Sequence, residues 1–227
     1  MNERFPTVGI IGAGQLARMS IAPATALGIN LLLFSQDKED SAAQISQHVV
    51  GDYRDLTQLL EFSKQCDLIT FEHELVPLSV IKGLEAAGVK VFPSSNSFQY
   101  SQDKAAMRAK LATYPSPKWK VIEDEGQAFD FPFMAKKISG GYDGRGVWKV
   151  NSESELAAIL LEDPKLLVEE LIDFDFEISV MVARSPHGQA ATWAPTQTVQ
   201  SEGICTMTIA PAPDLTEVLG QQAQQIA

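Results

Sequence analysis

Lys136-Lys137-Ile138-Ser139-Gly140-Gly141-Tyr142-Asp143-Gly144-Arg145-Gly146-Val147-Trp148 sets four glycines, three fixed cations, one carboxylate and one phenol within thirteen residues. The apolar run before it, from Phe131, reads as a β-strand that continues to Lys137, and Val147 to Val150 reads as the next strand. The glycines therefore fall between two antiparallel strands and not at the start of a helix. Glycine lets backbone N–H groups turn toward an anion at short range, because no Cβ stands in the way. Lys and Arg add full positive charge to such a cradle. A Walker-type loop needs GK[ST] running into a helix, and no GxxxxGK[ST] occurs in the sequence. An ordinary hairpin turn is the competing reading, since Tyr142-Asp143-Gly144 is favourable turn chemistry.

Working outward toward the N-terminus, Thr7 to Ile11 is an apolar run suited to a buried parallel strand. It leads into Gly12-Ala13-Gly14-Gln15-Leu16-Ala17 and a helix with Leu16, Met19, Ala22 and Ala26 on one face, closed by Gly28. Ile29 to Phe34, His48 to Val50, Leu68 to Phe71 and Val89 to Phe92 read as further strands. Asp55 to Gln65 and Leu78 to Ala87 read as helices. This alternation predicts a doubly wound α/β domain over residues 1–97. Pro93 to Ser97 reads as a loop, and Phe98 to Leu111 as a helix followed by a proline-rich break, giving a helix and linker over 98–118. From Trp119 the pattern becomes β-rich: strands at Trp119 to Ile122 and Leu166 to Val168, and a helix at Ser154 to Leu161. Residues 119–176 are expected to form one small α+β domain. Strands at Phe176 to Ala183 and Ala190 to Ala194, with a helix at Thr216 to Ile226, begin another over 177–227. That last helix has no cap, which reads as a domain cut short.

Composition limits the function classes. The chain has 227 residues, 45% apolar and 21% charged, with a net charge of −11. A packed core is expected, and a broad nucleic-acid or membrane surface is not, because an acidic chain repels phosphate polymers. Cys66 and Cys205 lack CxxC spacing and read as small buried hydrophobes in a reducing compartment. His48, His73 and His187 lack metal-ligand spacing. No basic-then-apolar leader and no apolar run of membrane-spanning length is present, so a cytoplasmic location is expected.

Three other clusters carry chemistry. Gly12-x-Gly14-x-x-Ala17 fits the alanine variant of the dinucleotide fingerprint, with Asp37 near the position of a ribose-binding acid. The amino end of the helix would offer N–H groups to a phosphate, and Gln15 a polar amide to a small ligand. A packing turn, a small phosphorylated ligand and a nicotinamide or flavin all remain open from the motif alone. Thr70-Phe71-Glu72-His73-Glu74 follows a strand, where open α/β sheets bind ligands. Its two acids could hold a ribose or an amine, or simply form a solvated loop. Asp103-Lys104 and Arg108 place two cations four apart on one helix face, which suits either solvent or phosphate. Glu169 and Glu177 read as surface acids, or as groups facing an adenine edge and ribose hydroxyls.

In this order these motifs resemble the N5-carboxyaminoimidazole ribonucleotide synthetase family, the ATP-grasp carboxylases of de novo purine synthesis. The resemblance runs along nearly the whole chain, and Gly140 to Gly146 is its most specific element. It implies an N-terminal Rossmann-like pre-ATP-grasp domain followed by a truncated ATP-grasp domain. It further implies ATP-dependent carboxylation of aminoimidazole ribonucleotide with bicarbonate, through carboxyphosphate. Lys104 and Lys136 would contact ATP phosphates, with Gly141, Tyr142, Asp143, Gly144, Arg145, Gly146 and Val147 as a flap over them. Glu169, Glu170, Leu171 and Ile172 would read the adenine, and Glu177 the ATP ribose. Gln200 would stand near the nucleotide. Gly14, Gln15, Leu16 and Glu74 would face the ribonucleotide. Tyr142, Asp143 and Arg145 would carry the catalytic roles between the two substrates.

Departures from the family pattern are Ala17 for a glycine and Lys104 for an arginine, which keeps charge but loses a bidentate fork. The family's magnesium-binding acids have no counterpart in this sequence, so Mg²⁺ is expected with ATP but no metal ligand is assigned. The resemblance also implies a homodimer for the complete protein, and weak or no activity for this chain alone. A nicotinamide-dependent oxidoreductase and a non-catalytic nucleotide-binding fragment are the alternatives.

Overall fold

The computed structural model describes residues 4–141, 145–201 and 203–227. Its contacts divide at Asp103/Lys104 into two compact units.

The first unit is built on a parallel sheet. Strands β1 (Thr7–Ile11), β2 (Asn30–Ser35), β3 (His48–Val50) and β4 (Leu68–Phe71) lie in the order β3-β2-β1-β4. Helices α1 (Gln15–Ala26), α2 (Leu56–Ser63), α3 (Leu78–Ala86) and α4 (Ser95–Gln102) connect and follow them. The strands are continuous apolar runs because helices cover both faces of a parallel sheet. Ile10 and Leu33 pack with Ala13, Ala17, Ala42 and Ala43 in one cluster; Ile11, Phe34 and Ile69 pack with Phe62, Ile81 and Leu84 in another. Helix α2 starts at Asp55, whose carboxylate accepts from the Thr57 and Gln58 N–H groups, one reason the chain turns helical there. Helices α1 and α3 close with Gly28 and Gly88, whose N–H groups bond Thr25 O and Glu85 O.

In the second unit, α5 (Lys104–Lys110) precedes an antiparallel sheet. This sheet holds β5 (Trp119–Ile122), β6 (Phe133–Lys137), β7 (Val147–Val150) and β8 (Leu166–Glu170) in the order β5-β8-β6-β7. Helix α6 (Glu153–Glu162) is capped by Ser152 Oγ, which accepts from Glu155 N–H. One sheet face carries Ile122, Phe133, Ala135, Val150, Leu166 and Val168, and it buries these with Leu156 of α6. Beyond it run β9 (Glu177–Ser179), β10 (Val182–Arg184), β11 (Ala190–Thr192), β12 (Thr196–Ser201), β13 (Ile204–Ile209) and α7 (Glu217–Ile226). Strands β13-β12-β9 form a three-stranded sheet, and β10 pairs with β11.

Five expectations change. Val89 to Phe92 is not a strand: only Val91 bridges to Ile69. Pro93 to Ser97 is not wholly loop, since α4 begins at Ser95 with its N–H and Oγ on the Glu85 carboxylate, at 2.7 and 2.5 Å. The helix expected over Phe98 to Leu111 is two helices. Asp103 is extended (φ −128°, ψ 104°) and the Lys104 N–H bonds Ile138 O at 2.9 Å, so a tertiary bond draws the backbone out of the helix. Phe176 to Ala183 splits into β9 and β10, which pair with different strands. Cys205 is exposed, not buried; Cys66 packs half-buried beside the first core, and burial, then the Asp67 charge, pushes its thiol up to about 11. Among the described residues, no helix is long and apolar enough to cross a membrane.

Phe62 is 1% exposed and meets Phe34 edge-on at 5.2 Å between centroids. Phe62→Ala is expected to remove about 3–5 kcal/mol of stability. Urea unfolding measures this, and a loss under about 1 kcal/mol would mean that the site collapses around the deletion.

Candidate functional site

Alternation along β6 and β8 sorts side chains onto two faces. Phe133 and Ala135 point into the α6 core, so Met134 and Lys136 belong to the opposite face. Met134 pairs with Glu169 and Lys136 with Leu167, so Lys136 and Glu169 are diagonal neighbours on that face, within reach of long side chains. Trp119 and Val121 of β5 share the face through their pairing with Glu169 and Leu167, and Val147 of β7 through its pairing with Lys136. The result is a half-buried apolar floor beside a charged cluster.

Glu169 is the centre of that cluster. It is 2% exposed. Its Oε2 accepts from Lys136 Nζ and its Oε1 from Arg108 Nε of α5. Burial alone would push the Glu169 carboxyl up. The hydrogen bonds from Arg108 and Lys136, together with their charges, outweigh burial and hold it below the usual carboxylate range. One carboxylate facing two cations leaves an excess of positive charge, and both cations stay partly open to solvent, at 19% and 23% of their side chains. Lys104, one helical turn before Arg108, directs Nζ to Gly141 O at 3.5 Å.

The glycine-rich segment begins and ends on this sheet. Lys137 N–H bonds Gly146 O at 2.8 Å, closing the strand pair. Gly146 has φ +73°, and a Cβ there would meet Lys137 Cγ at 2.8 Å, so glycine is required. Arg145 lies in the turn before β7. Tyr142, Asp143 and Gly144 lie outside the described residues. Glu170 ends β8 and accepts from Lys118 N–H at 2.9 Å; Leu171 and Ile172 follow, exposed. Glu177 opens β9, exposed, opposite Thr198. Gln200 sits at a bulge of the β12–β13 hairpin, opposite Cys205. Arg108 was readable as a cation on the Lys104 face, but its partner was not, because 61 residues separate it from Glu169.

In the first unit, Gly12 and Gly14 follow β1, and Glu72 follows β4. These are adjacent strands on either side of the point where the strand order reverses, the place where such sheets bind ligands. A cleft of about 310 Å³ lies there, lined by Gly14, Leu16, Glu72 and His73 among others. Larger clefts, about 610 and 500 Å³, lie at the opposite strand ends, beside Asp67 and Asn30; topology favours the smaller one. Gln15 and Leu16 are exposed on the first turn of α1, and Glu74 is half-buried. Ala17 is 2% exposed and its methyl packs into the core with Ile10 and Leu33.

The expected offer of free N–H groups at α1 is corrected. Glu72 Oε2 accepts from Gly14 N–H at 2.6 Å, and Oε1 from Leu16 and Ala17 N–H at 3.0 and 3.2 Å. The groups that would receive a dinucleotide pyrophosphate are occupied. Asp37 instead accepts from Glu39 N–H within its own turn, at 3.0 Å. The nicotinamide reading thereby loses its ground. Among the described residues, no group of three or more His, Cys, Asp or Glu converges to hold a metal.

Comparison with known proteins finds matches for both units. Residues 5–102 match the ribonucleotide synthetase preATP-grasp domain and residues 105–227 the ATP-grasp domain. N5-carboxyaminoimidazole ribonucleotide synthase of Mycobacterium bovis is 40% identical over 98% of this chain and 55% of its own length. The Aspergillus clavatus carboxyaminoimidazole ribonucleotide synthase complexed with ATP superposes with a TM-score of 0.88 at 28% identity, covering 98% of this chain and 62% of that one. The A. clavatus enzyme in complex with ADP and 5-aminoimidazole ribonucleotide gives 0.84 at 26% identity, covering 98% and 61%. The chain spans about half the length of the curated relatives it matches.

Because Glu169 has a lowered pKa in the folded chain, its stabilisation is complete above the unfolded value of about 4.3 and is lost as pH falls through the folded one. Urea midpoints of the chain are expected to fall more steeply below about pH 4.3 than those of Glu169→Gln. At neutral pH that variant should be about 3 kcal/mol less stable, the lower end for a buried pair, since both cations reach water. Parallel pH curves would show that Glu169 is not ionised in its pocket.

Proposed function

The chain belongs to the ATP-grasp family, and from that premise we propose that it forms the nucleotide- and ribonucleotide-holding part of an ATP-dependent carboxylase. The substrates are 5-aminoimidazole ribonucleotide and bicarbonate, and the product is N5-carboxyaminoimidazole ribonucleotide. One observation carries the reading most directly: the positive excess at Arg108, Lys136 and Glu169 beside an apolar sheet face, at the foot of a glycine-rich segment. A purine ring suits the floor, and its phosphates suit the cations. Relatives named for this reaction, and neighbours described with ATP, ADP and 5-aminoimidazole ribonucleotide, support it.

In this reading a bicarbonate oxygen attacks the γ-phosphorus of ATP, ADP leaves, and carboxyphosphate forms. The exocyclic amine of the ribonucleotide then attacks the carboxyl carbon, phosphate leaves and the nitrogen gives up a proton. Phosphoryl transfer asks a protein chiefly for positioning and charge neutralisation. Lys136 and Lys104 supply charge to the phosphates, and Gly141 to Val147 cover them against water. Glu169 to Ile172 and Glu177 hold the nucleoside, with Gln200 nearby. Gly14, Gln15, Leu16 and Glu74 face the ribonucleotide. Tyr142, Asp143 and Arg145 act between the substrates, Asp143 guiding bicarbonate or taking the amine proton. Mg²⁺ accompanies ATP, with no residue of this chain assigned to it. A cytoplasmic location and a homodimer belong to the same reading.

Calorimetry with ATP is expected to show at least about tenfold weaker binding for Lys136→Ala. Lys165→Ala, whose partner is the exposed Glu123, should bind as the unaltered chain does. Equal affinity in both variants would place Lys136 away from the phosphates. For the reaction, labelled bicarbonate should enter the product only with ATP and 5-aminoimidazole ribonucleotide in a protein that also carries the relatives' remaining length. Asp143→Ala should abolish this; unchanged incorporation would remove Asp143 from the chemistry.

A further inference from the structure

A helix amino end with unpartnered N–H groups attracts an anion. Helix α1 has no acidic residue in its first turn, and its N-cap, Gly14, has no side chain. The anion comes instead from the next strand over. Glu72 stands at the end of β4, its own N–H tied to Ile11 O at 3.0 Å. Its carboxylate takes three α1 donors, from Gly14, Leu16 and Ala17. Both glycines of the turn are shaped to it: a Cβ on Gly12 would lie 2.6 Å from Glu72 Oε2, and one on Gly14 2.7 Å from Oε1.

We propose that Glu72 is a built-in substitute for a bound phosphate. It fills the cradle that the glycine fingerprint makes, fixes Gln15 and Leu16 at the mouth of the cleft, and excludes pyrophosphate-bearing dinucleotides from it. Glu72 is thus a positioning and specificity-determining residue that acts through backbone N–H groups. The cleft admits the uncharged or cationic part of a ligand, since a phosphate would meet a carboxylate already in place. This inference does not depend on the carboxylation reading.

The test vacates the cradle. Glu72→Ala in the whole chain is expected to lower the thermal midpoint by on the order of 5 °C. Sodium formate or inorganic pyrophosphate should restore part of that loss beyond what sodium chloride of equal ionic strength does, and should do nothing comparable for the unaltered chain. Gly14→Ala supplies a second arm. Gly14 is in an extended conformation (φ −83°, ψ −150°), so a methyl there meets little except Glu72. Gly14→Ala should therefore destabilise the unaltered chain and cost much less in the Glu72→Ala background. Should Glu72→Ala not fold, Glu72→Gln is read by NMR, where the Gly14, Leu16 and Ala17 amide protons should move upfield as they lose a charged acceptor. Equal anion responses with and without the carboxylate, additive costs of the two substitutions, or unmoved amides would each overturn the proposal.

Discussion

A carboxylate taken almost wholly out of water must be ionised and paired, or it must take up a proton; Glu169 is paired twice. That requirement ties three elements together. β8 supplies the acid, β6 supplies Lys136, and α5 must lie where Arg108 reaches the second oxygen. Desolvation of Glu169 works against the arrangement, and charge-assisted hydrogen bonds from both sides overcome it. The cations are not consumed by the pairing. Each keeps part of its surface in water, so the acid fixes where positive charge stands while leaving it able to receive another anion.

Most of the architecture was legible in the sequence. Apolar runs mark β1, β2 and β4, and helical spacing marks α1 to α3, because in these segments local pattern and burial agree. The misreadings fall where a partner distant in sequence decides. Phe98 to Leu111 has good helical spacing throughout, yet the Lys104 N–H is captured by Ile138 O and the helix breaks. Phe176 to Ala183 is a plausible strand, but its halves pair with β12 and β11 separately. β12 and β13 were not seen at all; their side chains are mostly exposed or half-buried, so no strong alternation marks them.

The site was legible as residue types and not as connections. Lys136 stood out beside the glycines, but Glu169 read as a surface acid or an adenine-facing group; it is buried, and only strand register shows the two as diagonal neighbours. Glu72 and Glu74 looked like an equivalent pair after a strand. Their bonding separates them in role: Glu72 takes the amino end of α1, and Glu74 does not share those bonds. The two units thus use one device on two kinds of positive charge. In the first, a carboxylate satisfies partial charges of backbone dipoles and closes the position to other anions. In the second, it meets full charges that exceed it and leaves the position receptive.

The pairing of β6 with β8 also sorts which changes in chain length this fold can absorb. Side chains alternate with a period of two, so losing one residue inside β6 would turn Lys136 toward Leu156 and Val150 and bring an apolar neighbour to Glu169. Between Lys137 and Gly146, whose backbones are already bonded to each other, the count is not bound to the ladder. A change of length there would leave every strand beneath it in register, so what fixes the length of the glycine-rich segment is the work proposed for Gly141 to Val147 and not the sheet.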